Sequence, residues 1–154
     1  MKFALVFVAT ILLTTAIVSA NNGNDGVQCG NQRCGNDQVC HIRNGDCNCV
    51  SDHQVEASLR FNRIGSWTRD GRQYTQFDVT ITNHSNRNIR QINIRTDETF
   101  TLRSQNDLWN MVRQGDNLSL PSTQTINSGA SYTFGFIIVG TQQPNLRIRS
   151  IVFN

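Results

Sequence analysis

Residues 74–82 read YTQFDVTIT, in which Phe77, Val79 and Ile81 alternate with Gln76, Asp78, Thr80 and Thr82. A period of two sends successive side chains to opposite faces of an extended strand, so one face meets a core and the other meets water. The same period recurs outward in both directions. Val55, Ala57, Leu59 and Phe61 alternate with Glu56, Ser58 and Arg60 before it; Ile92 and Ile94, then Tyr132, Phe134, Phe136 and Ile138, then Leu146 and Ile148 follow it. The stretches RDGRQ, NHSNRN, RQGDN, NSGAS and TQQPN separate these runs and are rich in turn formers. Several short strands with no helical periodicity predict an all-β fold, an antiparallel β-sandwich over residues 53–154.

In front of the strands the composition changes. The chain opens MKFALVFVATILLTTAIVSA, one Lys followed by an apolar run that ends in small residues, which predicts a secretory signal peptide over residues 1–20 cleaved after Ala20. A short transmembrane anchor is the competing reading, but no basic stop-transfer residues follow the run. A secreted chain with no membrane attachment after cleavage is the expectation, placed in the extracellular matrix or a cell wall. Residues 21–52 are rich in Asn, Gly and Asp and hold all five cysteines, Cys29, Cys34, Cys40, Cys47 and Cys49. So few apolar side chains cannot build a core, and in an oxidising compartment disulfides take its place. Five is odd: one thiol is left over, fifteen arrangements are open, and the extra thiol suits self-association or a bridge to a matrix protein. Zinc is the competing reading, with His41 beside Cys40 and His53 near Cys49. The C-x2-C knuckle of zinc ribbons is missing, however, so no metal is assigned.

Charge excludes one partner class. Lys2 is the only lysine, and behind the signal peptide thirteen Arg stand against eleven Asp and Glu, spread along the chain. A phosphate-binding face needs clustered cations, so nucleic acid is not a partner.

The polar stretch SWTRDGRQYTQ carries Trp67 and Tyr74, and NDLWNM carries Trp109. By parity with Phe77, Tyr74 faces solvent, and across a hairpin at RDG Trp67 lies beside it. Exposed flat aromatics on a secreted sandwich stack on the apolar face of a pyranose, while neighbouring Asn, Gln, Asp and Arg bond its hydroxyls. Core packing is the ordinary fate of a Trp in a small sandwich, and periodicity alone favours it for Trp109.

From about Gln54 to Asn154 the chain resembles the family 49 carbohydrate-binding modules, known at the C-termini of some plant cellulases and in small secreted proteins of cellulose-making organisms. The matching features are SW at Ser66–Trp67, YTQFDVTITN at 74–83, IRQINI, LW at Leu108–Trp109, SLPS around Pro121 and SGASYTFGFI at 128–137. The resemblance implies a β-sandwich that binds cellulose or a related β-glucan through Trp67, Tyr74 and Trp109. The Cys-rich segment departs from the family pattern. It stands where a plant enzyme has its catalytic domain, and its C-x-C step resembles epidermal-growth-factor-like and knottin-like modules.

No catalytic residue is assigned. A glycosidase needs two carboxyl groups across the scissile bond, yet Asp70, Asp97, Asp107 and Asp116 fall in turns and Glu56 and Glu98 are the only glutamates. Neither G-x-S-x-G nor H-E-x-x-H occurs, no D-x-D calcium loop is present, and no cofactor is implied. A protein-binding adhesion or inhibitor module acting through the Cys-rich segment is the alternative function. Loosening of cellulose without hydrolysis, in the manner of expansins, is a weaker one, since the accompanying acidic domain is missing. The sequons NHS at Asn83 and NLS at Asn117, both in predicted loops, are candidate N-glycosylation sites.

Overall fold

The computed structural model describes residues 26–154; the expected signal peptide lies outside the described residues. The strands are β1 (Val27–Cys29), β2 (Gln32–Cys34), β3 (Gln38–Arg43), β4 (Asp46–Ser51), β5 (Ala57–Arg69), β6 (Arg72–Asn83), β7 (Ile89–Thr96), β8 (Leu108–Trp109), β9 (Val112–Gln114), β10 (Asn117–Ser119), β11 (Ser131–Val139) and β12 (Leu146–Phe153), with a 3-10 turn at Asp52–Gln54. Two sheets face each other, a four-stranded one in the order β5-β6-β11-β8 and a six-stranded one in the order β4-β3-β12-β7-β10-β9. The all-β sandwich read from the period of two is the fold.

Its core comes from the inward positions of that period. Phe77, Val79 and Ile81 of β6 and Phe134, Phe136 and Ile138 of β11 meet Ile92 and Ile94 of β7, Leu118 of β10 and Ile151 of β12, all at least 99% removed from solvent. Phe100 packs edge to face on Phe136, their centroids 4.8 Å apart at 72°. Burying each such side chain contributes about 1.5–3 kcal/mol. Truncation of Phe136 to Ala, at the centre of three ring contacts, is expected to cost about 3–5 kcal/mol.

The Cys-rich segment is stitched into this sandwich. Strand β3 pairs in parallel with β12 through Ser150–Cys40, Ile151–His41 and Val152–Ile42, and β4 folds back on β3 as the edge strand. Every other strand pair is antiparallel. Two parallel strands need a long connection, and here nearly the whole sandwich intervenes between them. The β3–β4 hairpin turns at Asn44 and Gly45, whose φ angles of 52° and 90° suit a two-residue loop. Along β3 the side chains divide: Val39 enters the main core, whereas Cys40 joins Cys29 and Cys34 in a separate buried cluster. The sulfurs therefore form the interior that this segment otherwise lacks.

Cys34 is bridged to Cys49, tying β2 to β4. The sulfurs of Cys29, Cys40 and Cys47 cluster beside this bridge, and one pair of the three can form a second disulfide. His41 points to the other side of β3 from Cys40, against Phe153 and near Glu56.

Candidate saccharide-binding face

The hairpin of β5 and β6 sets the first part of the site. Asp70 and Gly71 form its two-residue turn with φ of 51° and 74°. Asp-Gly is favoured there because both positions need positive φ and the resulting twist matches that of the strands. This turn pairs Arg69 with Arg72, Thr68 with Gln73 and Trp67 with Tyr74. The two rings, both half-buried, lie with centroids 6.2 Å apart at 38°. Strict alternation from Ala57, Leu59 and Phe61 would send Trp67 inward. A bulge prevents that: Arg63 pairs with Phe77 and Gly65 with Gln76, so Ile64 is an extra residue, 49% exposed, and every residue beyond it changes face. Ser66, not Trp67, takes the inner side of the sheet; it is exposed at this end of the hairpin, and its hydroxyl meets that of buried Thr75 at 2.9 Å.

The outward residues of the four-stranded sheet then fall into rows. Trp67, Tyr74 and Val139 form the first; Gly65, Gln76 and Ile137 the second; Asn62, Asp78, Gly135 and Trp109 the third. Trp109 is thus on the same face, not in the core. Its indole lies over Gly135, where a β-carbon would come within 2.5 Å of Nε1. Only glycine allows that approach, which also explains an isolated Gly in the middle of SYTFGFIIV. Asn110, in the left-handed region at φ 64°, locks the strand end: its Nδ2 donates to the Thr133 carbonyl at 3.1 Å and its carbonyl accepts from the Tyr132 hydroxyl at 2.8 Å. Strand spacings put Tyr74 and Trp109 roughly 17 Å apart along a diagonal of the sheet. Beyond the third row the face carries hydroxyls, with Thr80 and Thr133 3.1 Å apart and Thr82 and Ser131 3.0 Å apart.

Arg103 and Asp107 complete the face, and the sequence pattern singled out neither as a ligand contact. Their loop laps the edge of β11, Arg103 donating its amide to the Ile137 carbonyl and Asp107 accepting from the Ile137 amide at 2.9 Å. The side chains form a bidentate pair, Nε to Oδ2 at 2.8 Å and Nη2 to Oδ1 at 2.7 Å. Hydrogen bonds from Arg103 hold the Asp107 carboxyl below the usual carboxylate range against the opposing effect of burial. The Arg103 Cζ stands 5.9 Å from the ring centroids of both Trp67 and Tyr74. One cation therefore borders the aromatic pair, fixed in place by a carboxylate that stays ionised.

Of the two sequons, Asn117 begins β10 and is exposed. Asn83 corrects the loop expectation. It is the last residue of β6, fully buried, and its Nδ2 donates to the carbonyls of Arg87, Ile126 and Asn127 while Oδ1 accepts from the Ser85 amide and hydroxyl. A glycan on that nitrogen would have to displace these hydrogen bonds.

The chain matches the carbohydrate binding domain CBM49 over residues 57–141. It is similar to Stalk-specific protein A and Stalk-specific protein B of Dictyostelium discoideum, 42% identical to each over 158 residues, with 97% of this chain and 99% of each relative covered. Similar solved structures include the chitin-binding domain of Chi18aC from Streptomyces coelicolor, at 19% identity and TM-score 0.45 over 62% of this chain and 91% of that one. Another is the GH20 exo β-N-acetylglucosaminidase from Vibrio harveyi in complex with N-acetylglucosamine, at 13% identity and TM-score 0.46 over 64% of this chain; the match spans 18% of that enzyme.

Proposed function

The chain belongs to the CBM49 family of carbohydrate-binding domains, and on that footing we propose that it binds cellulose, or a closely related β-glucan, without hydrolysing it, as a secreted component of an extracellular matrix or cell wall. The observation that carries the reading is the gathering of Trp67, Tyr74 and Trp109 on the outer face of one sheet. A sheet face is broad, so aromatics spread over it suit an extended polysaccharide more than a chain end. Each ring offers apolar area to a sugar face at little cost in side-chain entropy, and Gln76, Asp78, Asn62 and Arg103 lie between or beside them to meet hydroxyls. Binding through separated rings predicts affinity that rises with oligosaccharide length until the diagonal is spanned.

The non-catalytic reading rests on membership of a family of carbohydrate-binding domains, and one carboxyl group of this face supports it. Asp107 is held ionised by Arg103 and so does not serve as the proton donor that glycoside cleavage needs. The matrix assignment draws on the predicted signal peptide and on two relatives named stalk-specific.

The test is retention of the mature chain on microcrystalline cellulose, with chitin as comparison, for the natural sequence and for Trp67→Ala/Tyr74→Ala. Selective retention that the double variant loses, with circular dichroism unchanged, is the expected result. Equal retention of the variant would sink the reading. Action through the Cys-rich segment is best tested by cysteine substitution, because deleting residues 21–50 would also remove β3 and Val39 from the sandwich.

A further inference from the structure

The hairpin that pairs Trp67 with Tyr74 ends in a conflict of charge. Arg69 stands directly opposite Arg72, two residues along each strand from the rings and so on the same outer face of the sheet. Like charges directly opposite across an antiparallel pair destabilise it. Arg69 has a counter-ion in Asp70 at 3.6 Å, but both side chains are exposed and water screens the pair. Arg72 is exposed and makes no hydrogen bond or ion pair with a described residue. On the other side of the rings Arg103 stands 5.9 Å from both centroids. Three guanidinium groups thus border one aromatic pair. The carboxylates paired with them are Asp70 and Asp107, which leaves the charge of Arg72 uncompensated. Arg72 also lines an open groove of about 560 Å³ together with Gln73, Gly140 and Val139, the third residue of the aromatic row.

We propose that this end of the face binds an anionic substituent on a polysaccharide: the rings take the pyranose backbone, and Arg69 and Arg72 take a carboxylate or sulfate group carried on it. The inference rests on the saccharide platform proposed above and adds the class of glycan it prefers, an acidic one. A guanidinium presents its N–H groups in a planar fork that matches the oxygens of such a group, and charge-assisted bonds of this kind are stronger than bonds to hydroxyls. A substituent projecting from a sugar stacked on Trp67 and Tyr74 enters the groove beside Val139 and meets Arg72 there. The bound anion also cancels the repulsion between Arg69 and Arg72, so binding relieves a cost that the free hairpin carries. One small cationic patch beside two rings suits substituents spaced along a glycan, not the continuous phosphates of a nucleic acid.

The test uses the full mature chain and soluble cellulose derivatives that share one backbone: carboxymethylcellulose, cellulose sulfate and neutral hydroxyethylcellulose. Polyacrylate serves as an anion without a sugar ring. Affinity is read by calorimetric titration at low and at high NaCl. At low salt at least one anionic glucan is expected to bind about tenfold more tightly than hydroxyethylcellulose. High salt should remove the difference. Which of the two is preferred identifies carboxylate or sulfate. Arg69→Gln/Arg72→Gln is expected to bind all three glucans alike, at the natural chain's affinity for the neutral one and with an unchanged urea midpoint. Arg90→Gln, an exposed arginine of β7 in the other sheet, should keep the full difference. Trp67→Ala/Tyr74→Ala is expected to lose neutral and anionic glucans together. Equal affinity of the natural chain for all three glucans overturns the inference and leaves the platform standing. So does polyacrylate bound as tightly as the anionic glucans, or a folded double arginine variant that keeps the preference. No binding to any glucan overturns the platform and the inference with it.

Discussion

Trp67 faces Tyr74 across β5 and β6 although its place in the alternation of β5 points it inward, and the bulge at Ile64 reconciles the two. The register on either side of the bulge is held independently, by the Asp70–Gly71 turn above it and by Phe61, Val79 and Ile81 below it. Deleting Ile64 therefore yields an unbroken ladder in which Arg63 still pairs with Phe77 and Trp67 still pairs with Tyr74. Cellulose retention of the deletion variant is expected to stay within about twofold of the natural chain, and Trp67→Ala to cost about tenfold, one stacked ring. Retention lost in a folded deletion variant would mean that the bend at the bulge, not the pairing, shapes the face.

Gly135→Ala is the complementary test at the far edge. Its methyl would overlap the indole of Trp109, so the ring must lift from the sheet. Retention is expected to fall as far as in Trp109→Ala, and stability by about 1–3 kcal/mol from overpacking. Fluorescence in a Trp67→Phe background reports the displaced indole alone. A red-shifted Trp109 with unchanged retention would remove that residue from the platform.

These two residues show where sequence pattern suffices and where it stops. The period of two in β6 and β11 names the core because each side chain there has one face to choose. It cannot announce a bulge, since the extra residue at Ile64 is recognised only by what it pairs with across the hairpin. Nor does it place Trp109, which lies on a two-residue strand too short to show any period. Gly135 was the available clue, a glycine inside a strand that marks a close approach. Arg103 and Asp107 are brought to the site by a loop whose path depends on the edge of β11. The pairing of β3 with β12 joins segments from opposite ends of the described chain, and no local signal carries such a contact.

Asn83 is expected to be irreplaceable. Its buried amide serves three carbonyls, so Asn83→Asp removes donors and sets a carboxylate among acceptors. Loss of each buried partner costs about 1–3 kcal/mol, and the variant should unfold at markedly lower urea than Asn117→Gln, which should match the natural chain. In a glycosylating host, peptide mapping is expected to find any glycan on Asn117 alone. A glycan on Asn83 of the folded protein would contradict the buried amide.

Acid sensitivity is expected to centre on His41. Its ring is 4% exposed, packs edge-on against Phe153 at 5.3 Å, and has no protein hydrogen-bond partner at Nε2 among the described residues. Glu56 stands 3.9 Å from Nδ1, too far for a hydrogen bond, and its carboxylate is engaged by Arg43. Burial first, and the positive charge of Arg43 second, lower the His41 pKa from 6.5 to about 4. The folded chain thus keeps this imidazole neutral while the unfolded chain protonates it from pH 6.5 downward. Between those values the unfolded state binds more protons, so stability is full above pH 6.5 and falls as pH drops toward 4. From pH 7 to pH 5 the loss is about 2 kcal/mol, read as a shift in the urea midpoint. His41→Leu fills much of the same space without a titratable ring and should flatten the profile over that interval. A variant that kept the full acid slope would assign it to another group.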